Sequence, residues 1–89
     1  MVVTKVLSIV NRLGLHARAA AQFVKTANQY SSEIMIEKEG EQVNAKSIMG
    51  ILMLAAACGS RITVTIDGDD AESAMRAIEE MVNDGFGED

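Results

Sequence analysis

One histidine stands in the whole chain, His16, and an arginine follows it two positions later, Arg18. They close the stretch Asn11-Arg12-Leu13-Gly14-Leu15-His16-Ala17-Arg18, which lies between a strand-like run and a helix-like run. Gly14 gives the chain a turn just before the histidine. From Ala17 onward the residues read as a helix, so His16 falls at or beside a helix N-terminus. There, unpaired backbone N–H groups and the helix dipole favour an anion. Arg18 is oddly placed for stability, because a cation in the first turn opposes the dipole. Its planar guanidinium fits better if a phosphate or carboxylate comes to the same place. The chemistry these residue types suit is capture of a phosphoryl group. A ring nitrogen of His16 would be the nucleophile, and Arg18 with the backbone amides of Ala17 and Arg18 would stabilise the anion.

Other chemistries fit less well. A lone histidine in a turn is most often a solvated or capping residue; its helix-start setting is what argues otherwise. Metal binding fails on ligand count, with one histidine, one cysteine and no paired spacing of either. A Cys–His dyad would need Cys58 beside His16, yet Cys58 ends an alanine-rich apolar run and reads as a small packing residue. No G-x-x-x-x-G-K-[ST] loop is present, which argues against direct nucleotide use.

The elements that must position His16 follow from periodicity. Residues 2–10 are rich in β-branched side chains and read as a strand. In the helix after His16, Ala20, Phe23, Val24 and Ala27 recur at i, i+3, i+4, i+7 as a buried stripe, with Arg18, Gln22, Lys25 and Gln29 opposite. Residues 33–38 form a second strand, Glu39-Gly40 a hairpin turn, and 41–44 a short returning strand. Ser47 is a natural N-cap for a short helix drawn from the apolar block 48–57. That block is apolar nearly all round, so part of it should stay exposed as a partner site. Residues 61–67 alternate strictly, with Ile62, Val64 and Ile66 facing inward. Asp69 and Glu72 have capping-box spacing, and Ala71, Ala74, Met75, Ile78 and Val82 form the stripe of the last helix. Gly85 should stop it and the tail 86–89 should fray. The order β-α-β-β-α-β-α gives an α+β open-faced sandwich, a four-stranded antiparallel sheet with three helices on one face.

Composition bounds the rest. The 89 residues make a single domain, 1–89, with 48% apolar residues and only three aromatics, so the core must be aliphatic and methionine-rich. A net charge of −5 argues against nucleic acid and anionic membranes as partners. The start of the chain does not read as a signal peptide, no apolar run is long enough to insert in a membrane, and the single cysteine suits a cytoplasmic protein. The chain is expected to be a monomer.

Two stretches carry a family resemblance. Asn11 to Ala20, centred on Leu13-Gly14-Leu15-His16-Ala17-Arg18, and Asn44 to Ala55, centred on Lys46-Ser47-Ile48-Met49-Gly50, together resemble HPr, the histidine phosphocarrier family of the bacterial phosphoenolpyruvate:sugar phosphotransferase system. The similarity runs over almost the whole chain. It implies that His16 takes a phosphoryl group on Nδ1 from phospho-enzyme I and passes it to an enzyme IIA domain, with Arg18 assisting. The phosphoryl group would derive from phosphoenolpyruvate, with no cofactor. The resemblance also implies that Ser47 is the serine modified by an HPr kinase/phosphorylase. The partner-docking region would include Ala20, Ile48, Met49, Ile51, Leu52 and Met53. The family usually has proline after the arginine, where this chain has Ala19; alanine suits the same backbone with less rigidity. That departure leaves room for a nitrogen-related regulatory phosphocarrier. Two further readings come from other classes: a non-catalytic docking module controlled through Ser47, and a small acyl-phosphate hydrolase, which lacks a Gly-rich cradle here.

Overall fold

The computed structural model describes residues 1–88. Along the chain come β1 (Val2–Ser8), α1 (Ala17–Ala27), β2 (Glu33–Lys38), β3 (Glu41–Asn44), α2 (Ile48–Met53), β4 (Arg61–Asp67) and α3 (Ala71–Asn83), then a single 3-10 turn at Gly85–Gly87. The strands form one sheet in the order β1-β4-β2-β3, and every neighbouring pair is antiparallel.

Alternation decides which face is covered. Because successive side chains point to opposite faces, Leu7, Ile34, Ile36, Ile62, Val64 and Ile66 all turn inward and are buried. The register places Ile66 between Val3 and Ile34, and Val64 between Lys5 and Ile36. The opposite face carries Thr4, Thr63, Thr65 and Glu37 and faces water. The helices close the inner face with Ala19, Ala20, Phe23 and Ala27 from α1, Ile51 from α2, and Ala74, Met75, Ile78 and Val82 from α3. Each large side chain buried there is worth about 1.5–3 kcal/mol of transfer free energy. The fold is the open-faced α+β sandwich expected from the element order.

The departures have local causes. β1 stops at Ser8, although Ile9 keeps pairing through its backbone (see below). α2 ends at Met53, because Ala55 adopts a left-handed φ of 49°, and Ala55 to Ala57 leave the helix. Val24 is half-buried, while Ala19 takes a fully buried place on the α1 stripe. Cys58 is exposed, not a packing residue: with α2 ended early, its loop runs over the surface.

The largest departure at a helix start concerns α3. Asp70, not Asp69, is the N-cap residue, and its carboxylate makes no cap bond to its own helix. It accepts instead from the backbone amides of Ser31 and Ser32 at 2.9 and 3.1 Å and from both serine hydroxyls. This ties the turn after α1 to the start of α3. The Ser32 hydroxyl, then the serine amides and the Ser31 hydroxyl against a partial burial cost, hold the Asp70 carboxyl below its ordinary value of 3.8. A lowered folded value means that the stability it contributes is complete above the unfolded value. That stability is lost as the pH falls through the folded one. Thermal unfolding of wild type and Asp70→Asn should therefore differ most at neutral pH, wild type melting higher, with the gap closing as the pH falls below the ordinary carboxylate range.

Candidate active site

The segment before α1 is held by backbone bonds on both sides. Ile9 extends the β1–β4 edge, its N–H bonding Ser60 O and its carbonyl accepting from Gly59 N–H, both at 2.8 Å. Leu15 N–H bonds Ala56 O at 2.9 Å, and Gly14 N–H closes a tight turn on Asn11 O at 3.1 Å. Gly14 has φ +68° and lies so close to the neighbouring loop that a Cβ would strike Ala56 O and come within 2.9 Å of Ala57 Cα. Glycine is required there for both backbone conformation and space. Leu15 and Asn11, 4% and 2% exposed, root the segment in the interior.

This brings His16 to the N-cap of α1 in an extended conformation, φ −78° and ψ −178°. Its carbonyl accepts the first helical bond, from Ala20 N–H at 2.8 Å, while its ring makes no cap bond. The amides of Ala17, Arg18 and Ala19 precede that bond and have no helical acceptor, and no acidic residue occupies the first turn. Ala19 contributes an N–H that a proline would lack.

The ring is turned toward the C-terminal tail. His16 Nε2 lies 2.6 Å from Glu88 Oε2, and Glu88 Oε1 accepts from Asn11 Nδ2 at 2.9 Å. The same Asn11 nitrogen donates to Gly14 O at 2.8 Å. Asn11 Oδ1 is buried without a partner among the described residues. The tail does not fray through Glu88, contrary to the expectation from its composition. Gly85, Phe86 and Gly87 have left-handed φ values of 62°, 58° and 72°, which turn the chain back toward α1. Phe86 is buried with its ring centroid 6.3 Å from that of Phe23. The aromatic anchor outweighs the backbone cost of a non-glycine left-handed residue.

The Glu88 carboxyl is held below its ordinary value of 4.5 first by the Asn11 hydrogen bond. Burial opposes this, while the hydrogen bond and charge of His16 and the charge of Arg18 assist it. At neutral pH the group is a carboxylate, which only accepts hydrogen bonds, so Nε2 bears the hydrogen. In a neutral imidazole the lone pair is then on Nδ1. An open hollow of about 640 Å³ adjoins the ring, lined by His16, Ala17, Arg18, Arg12, Leu13, Gly87 and Glu88. Two guanidinium side chains, a nucleophilic nitrogen and a free helix start share one shallow recess, a setting for accepting a phosphoryl group from a donor carried by another protein.

His16, Ala17 and Arg18 are thus brought together as expected, and Ser47 lies apart at the start of α2. Ser47 Oγ accepts from Gly50 N–H at 3.1 Å, the N-cap bond its position suggested. Beside it Ile48, Met49 and Met53 are 43%, 70% and 65% exposed, and Leu52 is half-buried. Ala20 and Ile51 are completely buried and so cannot themselves touch a partner; both lie on the inward stripes of their helices. No group of residues able to hold a metal ion occurs among the described residues. Glu88 was not foreseen as a site residue. The signal for it was Phe86 between two glycines, a bulky apolar group that must find a core.

Residues 3–84 match the family described as the PTS HPr component phosphorylation site. Phosphocarrier protein HPr of Neisseria meningitidis serogroup A is 50% identical over 82 residues, 92% of each chain. The structure of HPr from Thermoanaerobacter tengcongensis superposes with a TM-score of 0.94 at 44% identity and covers 98% of both chains. The catabolite repression protein Crh of Bacillus subtilis, a dimer formed by a swapping domain, is 40% identical with a TM-score of 0.76, covering 83% of this chain and 85% of its own. Replacing Gly14 by alanine should lower stability by about 2–4 kcal/mol and displace the turn that carries His16. Denaturant unfolding reads the first effect, and backbone amide shifts of residues 14–18 the second.

Proposed function

This chain belongs to the HPr family, and on that premise we propose that it is a phosphocarrier whose acceptor atom is Nδ1 of His16. The observation that carries this reading is the division of labour on the ring. Glu88 occupies Nε2, which leaves Nδ1 as the nucleophile at the free start of α1. The phosphoryl group comes from phosphoenolpyruvate through phospho-enzyme I and is handed to an enzyme IIA domain of the sugar phosphotransferase system. No cofactor takes part. The amides of Ala17 and Arg18, with the Arg18 guanidinium, bear the charge on the phosphoryl oxygens. A shallow recess suits a group that two proteins must reach in turn, and the cytoplasm is where such partners meet the chain. The acting form is a monomer, because His16 must be open on both occasions.

Ser47 serves as the regulatory site, modified by an HPr kinase/phosphorylase. A phosphate on this N-cap hydroxyl would sit at the start of α2 and favour the helix. It would also place about two negative charges beside the exposed Ile48, Met49 and Met53, the surface on which partners dock. The likeness to Crh supports, as the second reading, a regulatory docking module of the same design controlled through Ser47.

Incubation with enzyme I and labelled phosphoenolpyruvate tests the carrier reading. Wild type should take up an acid-labile, base-stable label, His16→Ala none, and Arg18→Ala should pass it on about a hundredfold more slowly. Absence of label on wild type, or label persisting in His16→Ala, would overturn the reading.

A further inference from the structure

Resting on the phosphocarrier reading, we infer that Asn11 and Glu88 form a positioning pair that keeps a proton on His16 Nε2 through both accepting and donating the phosphoryl group. The contacts make a chain from the interior to the ring. Asn11 is 2% exposed and spends its amide nitrogen on two acceptors, the Gly14 carbonyl at 2.8 Å and Glu88 Oε1 at 2.9 Å. The second carboxylate oxygen reaches Nε2 at 2.6 Å. Asparagine is suited to this place because one nitrogen carries two donors. One fixes the turn that holds His16, and the other fixes the carboxylate that faces it. Phe86, buried against Phe23, sets how far the tail can drift, and the Glu88 side chain is only 12% exposed. A surface ion pair at a loose terminus would have none of this support.

The pair acts on both halves of the transfer. When the group arrives, the Nδ1 lone pair forms the N–P bond while the bond from phosphorus to the donor breaks, its electrons leaving with the donor. The ring becomes a phospho-imidazolium whose remaining proton, on Nε2, lies against the Glu88 carboxylate. When the group departs, the N–P electrons return to Nδ1 and a neutral imidazole leaves. Without the Nε2 proton the leaving group would be an imidazolate anion, far poorer at neutral pH. Glu88 therefore keeps phospho-His16 in its transferable form, and it does so without touching the phosphoryl group. The charged groups around the ring are Glu88 from the tail, Arg18 from α1 and Arg12 from the loop before it. Of these, Glu88 is the one that contacts the ring, at Nε2.

The test uses phosphoramidate, a small phosphoryl donor that needs no protein partner, on wild type, Glu88→Gln and Glu88→Ala. Phosphorus NMR follows the phospho-ring with pH, and loss of the group is timed across the same range. Wild type should hold the Nε2 proton to a pH at least about one unit higher than either variant. Dephosphorylation of the variants should be about tenfold slower at alkaline pH and unchanged at acid pH, where solvent supplies the proton. Asn11→Ala should move the titration in the same direction. Identical titrations in wild type and Glu88→Gln would overturn the inference, as would a rate change of equal size at every pH, which is what loose packing alone would give. Failure of enzyme I to label wild type would overturn the carrier reading and leave this measurement intact.

Discussion

The arrangement at His16 depends on how closely Gly14 can lie against the backbone of Ala56 and Ala57. No side chain fits in that space, and the left-handed backbone at Gly14 turns the chain so that Leu15 N–H meets Ala56 O. The loop after α2 thereby becomes a wall for the segment before α1. Because the Ile9–Ser60 and Gly59–Ile9 bonds fix the same two segments further back, the start of α1 is set by the sheet itself and not by a free loop. A side chain on a rigid helix start can meet two different proteins with the same geometry, and a carrier requires that.

Electrostatics at the site run against those of the molecule. A chain of net charge −5 places two arginines around its histidine, one of them in the first turn of a helix where a cation costs stability. Glu88 offsets part of this, lying against the ring at Nε2 while the charge of Arg18 acts on its carboxylate through space. An arriving phosphoryl dianion would meet the helix start and Arg18, while the carboxylate remains on the other nitrogen. The two negative groups share the ring without sharing a place on it.

Much of this was legible in the sequence. Strict alternation at Ile62, Val64 and Ile66 marked β4, and the spacing of Ala20, Phe23 and Ala27 marked the inner face of α1, because both reflect local geometry repeated over several residues. Gly14 beside His16, followed by a helical run, was enough to put the histidine at a helix start. What stayed hidden depends on contacts distant in sequence. Asp70 bonds Ser31 and Ser32, and Glu88 bonds Asn11 and His16, pairs that no periodicity joins. The tail through Glu88 is hard to read because Gly85, Gly87 and two acidic residues look unstructured, while one phenylalanine holds the turn; Asp89 lies outside the described residues. Cys58 reads as a packing residue because it ends an apolar run, whereas the left-handed Ala55 ends the short helix and leaves the cysteine exposed.

The central claim is that the ring of His16 is divided, Nε2 for the protein and Nδ1 for the phosphoryl group. Nitrogen-15 NMR of the phosphorylated, isotopically labelled chain reads this directly, because the nitrogen bonded to phosphorus shows one-bond coupling to it. The account predicts that coupling at Nδ1 of His16, with a proton on Nε2. Coupling at Nε2, or phosphorus on any other residue, would contradict it.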